Sequence, residues 1–283
     1  MSRVSAGHYV LGIEGLALLR NWLSDPTQSG RRVRELTDFV SDPSQPPLSI
    51  EFDAAEADVQ SGYRHWAGNY DIVPNPLIRA EEPVVRGIVD RIRPGPALDA
   101  ACGTGRHAKY LHARGHRVVG VDATEEMLAK ARTAAPEVDF RTGNLLALPI
   151  ESDTVDLAVC ALALTHCESL GSPIAELARV LGPGGRLIIS DLHPLLTALG
   201  MTAFFIGPDG NAAYVRSYHH PHSAYLAAFN AAGLEVENCF EPTIGEEEVA
   251  MSSGGLMYLA DEAFRTGLLG LPQALIWELV RRP

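Results

Sequence analysis

Cysteine and basic residues are scarce in this sequence, and each shortage argues against a class of protein. The chain has 4 cysteines among 283 residues and no C-x-x-C pair, so neither a disulfide framework nor a zinc knuckle is indicated. Lysine and arginine number 23 against 35 aspartate and glutamate residues, which gives a net charge of −12. Because binding of a polyanion needs a concentrated positive patch, we expect no nucleic-acid partner.

Long apolar runs are also missing. No stretch is long enough to span a bilayer, and the first residues lack the basic-then-apolar pattern of a signal peptide. The sequence therefore predicts a cytoplasmic protein without membrane attachment. Hydrophobic residues make up 46% of the chain, which is enough for a core, and the length fits one large domain with an appendage.

The most informative part of the sequence is a glycine-rich stretch over residues 97–111. It predicts a buried strand that ends at Asp99, a loop through Gly103 and Gly105, and a helix that begins near Arg106. Glycine leaves no side chain between the main chain and a ligand. The spacing also fits a dinucleotide-binding fingerprint, but an acid at the strand end is a poor neighbour for a pyrophosphate. A ligand with a cationic centre suits Asp99 better.

A second motif follows at a matching distance. Val118-Val-Gly-Val-Asp122 predicts a strand whose last residue lies 17 positions past Gly105, where a carboxylate can bind a ribose diol. Leu98-Asp-Ala-Ala-Cys-Gly-Thr-Gly-Arg-His-Ala108 resembles the first motif of the Rossmann-like (class I) methyltransferases that use S-adenosylmethionine, of the small-molecule type. The resemblance covers residues from about 63 to 283.

That resemblance implies a cofactor and the residues that hold it. The cofactor is S-adenosylmethionine, with S-adenosylhomocysteine as the product. A predicted helix over Glu51–Asp71 carries the family's lid pattern, Tyr-x-x-x-Ala-x-x-Tyr-Asp, although Trp66 also fits a core-facing stripe. Asn144 stands where the family usually has aspartate, and its amide offers both a donor and an acceptor. The expected cofactor-binding residues are Tyr63, Tyr70, Asp99, Ala101, Gly103, Gly105, Asp122, Ala123, Met127, Asn144, Leu145 and Ala161.

The expected fold is α/β, with a doubly wound Rossmann-like sheet. Seven strands are predicted, with helices between most of them, and the resemblance implies that the last strand, Ala274–Leu279, is antiparallel. Residues 1–47 are predicted as an N-terminal helical extension and linker. Residues 48–283 are predicted as the methyltransferase domain, with lid helices at 48–93 and an acceptor-pocket insert at 195–221.

Two of these segments have open roles. The extension is either an extra layer on the domain, a contact between two copies in a homodimer, or a wall of the acceptor pocket. The aromatic residues of the insert either pack it onto the domain or line a pocket for a small apolar or aromatic acceptor, for example an indole-like molecule of specialised metabolism. Those aromatic residues are Phe204, Phe205, Tyr214 and Tyr218.

Candidate catalytic side chains follow the fourth and fifth predicted strands. His166 comes after the fourth, and Asp191 and His193 come after the fifth, so all three are expected at the carboxyl edge of the sheet. We expect His166 or His193 to act as a general base, with Asp191 orienting it. The alternative is that Asp191 and His193 only cap the following loop.

A metal site is a weaker interpretation. His219, His220 and His222 stand close together and could join Asp191 as ligands. Adjacent residues on an extended chain point in opposite directions, however, so we expect no bound metal. The sequence thus predicts a methyltransferase acting on a small organic molecule, with O-, N- and C-methylation all open. The alternatives are an inactive cofactor-binding partner protein and a dinucleotide-dependent oxidoreductase.

Overall fold

The computed structural model describes residues 2–253 and 255–282. Its helices are α1 (Ala6–Asn21), α2 (Pro26–Ser41), α3 (Val59–Trp66), α4 (Pro76–Val89), α5 (Arg106–Ala113), α6 (Glu125–Ala134), α7 (Gly171–Val180), α8 (Pro194–Ala198), α9 (His222–Ala231), α10 (Glu246–Ser252) and α11 (Met257–Leu268), with a 3₁₀ turn at Leu164–His166. Its strands are β1 (Ser2–Ser5), β2 (Glu51–Ala57), β3 (Pro96–Ala100), β4 (Arg117–Asp122), β5 (Asp139–Thr142), β6 (Val155–Ala161), β7 (Leu181–Leu192), β8 (Ala203–Ile206), β9 (Ala212–Val215), β10 (Leu234–Phe240) and β11 (Ala274–Arg281).

The main sheet has seven strands in the order β10-β11-β7-β6-β3-β4-β5. Strand β11 is antiparallel to both neighbours, and the other pairs are parallel. Two apolar clusters pack against it, which explains why central strands such as β6 are almost uniformly hydrophobic. Because β3 pairs with β4 on one side and β6 on the other, a crevice forms at their carboxyl ends. The predicted doubly wound sheet is confirmed.

A smaller sheet joins the N-terminal part of the chain to the insert. Its order is β1-β2-β9-β8. Strand β2 occupies residues that the sequence predicts to be helical, so the predicted helix over 51–71 is wrong in its first part and shrinks to α3. The reason is that β2 pairs with β9, Ala54 opposite Ala212. Nothing local in the sequence marks so distant a partner.

The N-terminal extension forms a further layer on the domain. Both expected helices are present, and Val10 and Ile13 of α1 are buried in one cluster with Phe264 of α11. Strand β1 pairs with β2, so residues on either side of the expected boundary at position 47 share a sheet. Of the three roles considered, packing on the domain is observed, and the homodimer contact and the wall of the acceptor pocket stay predictions.

Candidate functional site

The glycine loop opens onto the crevice. Gly103 has a φ of +52°, and a Cβ added to it would meet no other atom within 4 Å. Gly105 has a φ of +82°, and its Cβ would lie 3.1 Å from Ala131 and from Phe140. Gly103 therefore keeps the ligand side of the loop clear, while Gly105 lets α5 begin in close contact with α6 and β5.

Asp122 ends β4 beside this loop. Its Oδ2 accepts a hydrogen bond from the Gly103 N–H at 2.8 Å, and its Oδ1 accepts one from the Thr124 N–H, also at 2.8 Å. Burial raises the pKa of this carboxyl above its ordinary value. Each oxygen keeps a further lone pair. The carboxylate is thus fixed at the crevice and remains able to accept hydroxyl groups.

Asp99 has a different role from the one expected. Its side chain is only 1% exposed, and its Oδ2 accepts a hydrogen bond from the Ala108 N–H in the first turn of α5 at 2.7 Å. Burial raises the pKa of Asp99 to about 6. The expectation that it faces a cationic ligand is therefore wrong, because the carboxylate is buried beneath the loop and anchors the helix.

A buried ionic network supports the same loop from below. Glu81 of α4 binds Arg106 at 2.8 Å and His107 at 3.0 Å, both in α5, and accepts a hydrogen bond from the Ser190 hydroxyl at 2.9 Å. Burial alone would raise the pKa of Glu81, but His107 and Arg106 lower it to about 2. The carboxylate therefore stays ionised and ties α4 to the start of α5.

A lid crosses the mouth of the crevice. Gln60 of α3 donates to the Ala123 carbonyl just after β4 at 2.8 Å. The segment that follows α3 is attached to the glycine loop, since the Thr104 hydroxyl donates to Asp71 at 2.8 Å. The lid pattern read from the sequence thus lies next to the predicted cofactor residues.

The aromatic residues of the lid form one cluster. Tyr63 and Tyr70 both contact Trp66, with ring centroids 5.8 and 4.9 Å away. Trp66 stacks on Phe205 of the insert at 4.8 Å. Burial raises the pKa of both tyrosines, that of Tyr70 to about 12. These residues therefore form a small core and at the same time cover the crevice.

Two strained backbone positions flank the crevice. Ala101, just after β3, has a φ of +58°, and Leu162, just after β6, has a φ of +56°. Left-handed conformations of this kind are costly for residues other than glycine and concentrate at functional sites. Other expected cofactor positions lie at the same carboxyl edge or in the helix beside it, namely Ala123, Met127, Leu145 and Ala161.

Asn144 follows β5 at the far end of the crevice. Its Oδ1 accepts hydrogen bonds from the Leu146 N–H at 2.9 Å and the Ala147 N–H at 3.2 Å. Both lone pairs of that oxygen are therefore engaged. The side chain is exposed, and it can offer a ligand the N–H groups of its amide.

His166 is the predicted base whose bonding suits that role. Its Nδ1 lies 2.8 Å from the Arg216 carbonyl oxygen, and its Nε2 lies 2.9 Å from the Tyr63 hydroxyl. Because a carbonyl only accepts, Nδ1 carries the proton, and Nε2 accepts the hydrogen bond that Tyr63 donates. Burial lowers the pKa of His166. The ring is therefore neutral near pH 7, with its lone pair directed at the lid.

His193 has no free lone pair. Its Nδ1 accepts a hydrogen bond from the Leu195 N–H at 3.1 Å and so caps α8. Its Nε2 therefore carries the proton and donates to Glu241 at 2.9 Å. The ring is also only 6% exposed. We correct the expectation of a base at His193, because one ring nitrogen caps α8 and the other binds Glu241, the residue that follows β10.

Asp191 contacts neither of these histidines. It is fully buried and accepts hydrogen bonds from the Thr165 N–H at 3.0 Å and the Tyr225 hydroxyl at 2.7 Å. Burial raises its pKa to about 7. The expectation that it orients an imidazole is wrong, although it does hold the 3₁₀ turn that carries His166.

Three residues with a place in this arrangement were missed from the sequence. They are Gln60, Arg216 and Tyr225, which hold Ala123, His166 and Asp191 respectively. None belongs to a recognisable local motif, and each partner is distant along the chain. The signal that identifies them is tertiary contact alone.

The histidines after the insert do not gather around Asp191 as a metal site would require. His219 and His220 bond to backbone carbonyls. In the described part of the chain, the group with suitable spacing is His193, His222 and Glu241, whose ligand atoms lie within 4.8 Å of one another. A metal would need the lone pair of the His193 Nε2, which carries a proton as long as Nδ1 caps α8. This donor set does not fit a metal.

A pocket of about 480 Å³, here called the side pocket, adjoins His166. With respect to the two roles considered for the aromatic residues of the insert, three of the four make packing or hydrogen-bond contacts and do not line this pocket. Phe205 stacks on Trp66, Phe204 lies against Phe52, and Tyr214 bonds to Glu56. The side pocket is lined by Glu56, Ala57, Asp58, Val59, His166, Val215, Arg216 and Tyr218.

Comparison with known proteins agrees with this geometry. Residues 98–189 match the family model described as a methyltransferase domain. Through these residues the chain is similar to the class I methyltransferases that use S-adenosylmethionine. In fold, the protein resembles an S-adenosylmethionine-dependent methyltransferase from Mesorhizobium loti, with a TM-score of 0.54, 24% identity, and 71% of this chain and 98% of that one covered. It also resembles geranyl diphosphate C-methyltransferase from Streptomyces coelicolor, with a TM-score of 0.52, 20% identity, and coverage of 72% and 77%.

Curated relatives match over part of this chain. It is 29% identical to malonyl-acyl carrier protein O-methyltransferase from Yersinia pestis over 147 residues, 52% of this chain and 53% of that protein. It is 37% identical to the enzyme of the same name from Erwinia pyrifoliae over 108 residues, 37% and 41% of the two chains. The chain thus spans about half the length of these relatives or less. Among the described residues, no helix has both the length and the hydropathy to cross a membrane.

Proposed function

We propose that this protein transfers a methyl group from S-adenosylmethionine to a small organic acceptor. The observation that carries the proposal is the position of Asp122. Its carboxylate is fixed against the N–H of Gly103, at the crevice between β3 and β6. On the other side of the same crevice, His166 presents a lone pair to the lid.

The residues of the crevice fit the cofactor chemically. When bound, S-adenosylmethionine supplies a methyl group on a positively charged sulfur that is ready to leave. Asp122 would accept hydrogen bonds from the ribose hydroxyls, and the bare main chain at Gly103 allows close approach. Asn144 would donate its amide N–H groups. Tyr63 and Tyr70 would exclude water from the crevice and so prevent side reactions of the methyl group with water. Their rings would also help to orient the acceptor.

Proton removal is assigned to Tyr63 and His166 acting together. The proton of the acceptor passes to the Tyr63 hydroxyl oxygen while the proton of Tyr63 passes to Nε2 of His166. The bond at 2.9 Å between these atoms gives the second transfer a direct path. Tyr63 alone would be a poor base because burial raises its pKa, so the lone pair of His166 is the final proton acceptor.

Binding of S-adenosylhomocysteine measured by calorimetry tests the cofactor half of this proposal. We expect binding of this ligand and none of NAD. Asp122→Ala should weaken binding about a hundredfold, because two hydrogen bonds to a charged group are lost. Asp139→Ala is the matched control, since Asp139 is an exposed acid on β5. Binding of NAD instead, or equal affinity in both variants, would refute the assignment.

A further inference from the structure

The side pocket is an open depression that shares one side chain with the proposed site of methyl transfer. His166 belongs to its lining and also bonds to Tyr63 of the lid. The two spaces therefore share the side chain that we assigned to proton removal. An acceptor seated in the side pocket would lie beside the ring of His166. The role of this pocket in acceptor binding thus rests on the proposed function.

Arginine in the side pocket is already paired. Among the described residues that line it, Arg216 is the one cationic side chain. Its Nε donates to Oε1 of Glu56 at 2.8 Å, and its terminal nitrogen donates to Oε2 at 3.1 Å. Tyr214 donates a further hydrogen bond to the same carboxylate at 3.1 Å. A bidentate pair of this kind uses the face of the guanidinium that would otherwise bind a carboxylate ligand.

A second carboxylate leaves the lining with excess negative charge. Asp58 caps α3 by accepting a hydrogen bond from the Ser61 N–H at 3.0 Å, and no arginine among the described residues forms an ion pair with it. Hydrogen bonds from Ser61 lower the pKa of Asp58, and those from Arg216 and Tyr214 lower that of Glu56. Both acids are therefore ionised near neutral pH, and with one arginine the lining carries a net charge of about −1.

We propose that the side pocket selects an acceptor with a protonated amine and disfavours a carboxylate. The ammonium group would pair with Asp58, and an apolar body would lie against Val59, Val215 and Tyr218. A carboxylate would meet two like charges and an arginine that is already bound. In this respect the protein would differ from its malonyl-acyl carrier protein O-methyltransferase relatives, whose named substrate carries a carboxyl group.

The chemistry of an amine acceptor also uses the base. Once the nitrogen has left Asp58 for the crevice, its ammonium group loses a proton through Tyr63 to Nε2 of His166, which leaves a lone pair on the nitrogen. That lone pair forms a bond to the methyl carbon as the carbon–sulfur bond breaks, and the sulfur keeps the electron pair of the broken bond. The product is a methylated ammonium ion.

Three ligands of similar size test the selection. Phenethylamine, 2-phenylethanol and 3-phenylpropanoate are titrated by calorimetry into the full-length protein saturated with S-adenosylhomocysteine. We expect phenethylamine to bind about tenfold tighter than 3-phenylpropanoate, with the alcohol between them. Equal or tighter binding of the carboxylate, or binding of none of the three, overturns the amine proposal. Failure of S-adenosylhomocysteine to bind at the outset would instead refute the proposed function.

Two variants test which charges are responsible. Asp58→Asn removes the second negative charge but keeps the cap of α3, since asparagine is as good an N-cap as aspartate, so the preference for the amine should fall several-fold. Glu56→Gln releases Arg216 and should tighten binding of the carboxylate. Asp53→Asn is the control, because Asp53 is exposed on the same strand and does not line the side pocket. An unchanged preference in both Asp58→Asn and Glu56→Gln contradicts the proposal.

Discussion

At the scale of single residues, two histidines that look alike in the sequence differ in the bonds of their rings. His166 carries its proton on Nδ1, which leaves the lone pair on Nε2 for a reacting proton. His193 has the opposite arrangement, and its lone pair is used by the backbone of α8. The tautomer of each ring is set by neighbouring groups, so only the structure distinguishes a base from a cap.

Paired substitutions should reveal this difference. Tyr63→Phe and His166→Gln should each lower kcat by about a hundredfold to ten-thousandfold, because both interrupt the same proton path. The double variant should be little worse than either single variant. His193→Asn, which preserves an N-cap, should retain turnover. Steady-state kinetics with S-adenosylhomocysteine affinity as a second readout checks this, and full activity in His166→Gln would refute it.

Glycine at position 103 provides another test at this scale. Gly103→Ala should weaken S-adenosylhomocysteine binding about tenfold or more, because the new methyl group projects into the space of the ligand. Gly184→Ala is the matched control. Gly184 also has a positive φ, +75°, and an open Cβ position, but it lies near the start of β7 rather than at the crevice.

Both variants should lose stability to a similar extent, about 1 kcal/mol, through backbone strain. Thermal unfolding measures this loss, and calorimetry measures binding. Equal losses of binding affinity in the two variants would show that strain, rather than contact with the ligand, governs the effect of Gly103→Ala.

At the scale of elements, the N-terminal hairpin contains a buried ion pair with poor geometry. Glu14 of α1 and Arg32 of α2 are each about 1% exposed in their side chains, and their nearest charged atoms are 3.5 Å apart. Burial raises the pKa of Glu14 to about 7, and Arg32 only partly offsets it. A buried pair at this distance contributes little net stability, and Arg32 also binds the Glu35 carboxylate at 2.8 Å.

Replacing one member of the Glu14–Arg32 pair should lower the stability of the protein more than replacing both. Arg32→Met should destabilise the protein by about 3 kcal/mol, because it leaves Glu14 buried without a partner. The double variant Glu14→Leu with Arg32→Met should recover most of that loss. Urea unfolding gives both free energies. A double variant as unstable as the sum of the single ones would contradict this account.

The elements also show where sequence reasoning succeeds. Strands β3 and β4 follow from local motifs, since each apolar run ends in an acid followed by a turn or helix signal. The segment of β2 is predicted as helix because its stabilising partner, β9, lies in the distant insert. Asp99 and Asp191 are predicted correctly at strand ends, but their burial depends on helices that pack over them later in the chain. Local patterns therefore predict the sheet edge and not which acids remain exposed on it.

At the scale of the whole molecule, buried acids link stability to pH. Burial raises the pKa of Asp99 to about 6 and that of Asp191 to about 7, above the value of about 4 in an unfolded chain. At a pH between the pKa of the unfolded chain and that of the folded protein, these carboxyl groups are ionised in the unfolded state and protonated in the folded state. Stability should therefore fall as pH rises from about 4 to about 7 and then level off.

Asp191→Asn should remove much of this dependence. The amide keeps an oxygen for the Thr165 N–H, and it does not ionise. We expect the free energy of unfolding of the variant to change less between about pH 5 and pH 8 than that of the unmodified protein. Urea unfolding at several pH values measures it. If the free energy of unfolding changes equally with pH in both proteins, Asp191 is ionised at neutral pH despite its burial.

The smaller sheet has a consequence for how the chain assembles. The residues of β2 are synthesised early, but those of its partner β9 begin only at residue 212. Closing so long a loop is entropically costly, so this pairing should come late on the folding pathway. The strands that form the crevice, β3, β4 and β6, lie closer together along the chain and should pair earlier. We therefore expect the crevice that receives the ligand to form before the smaller sheet is complete.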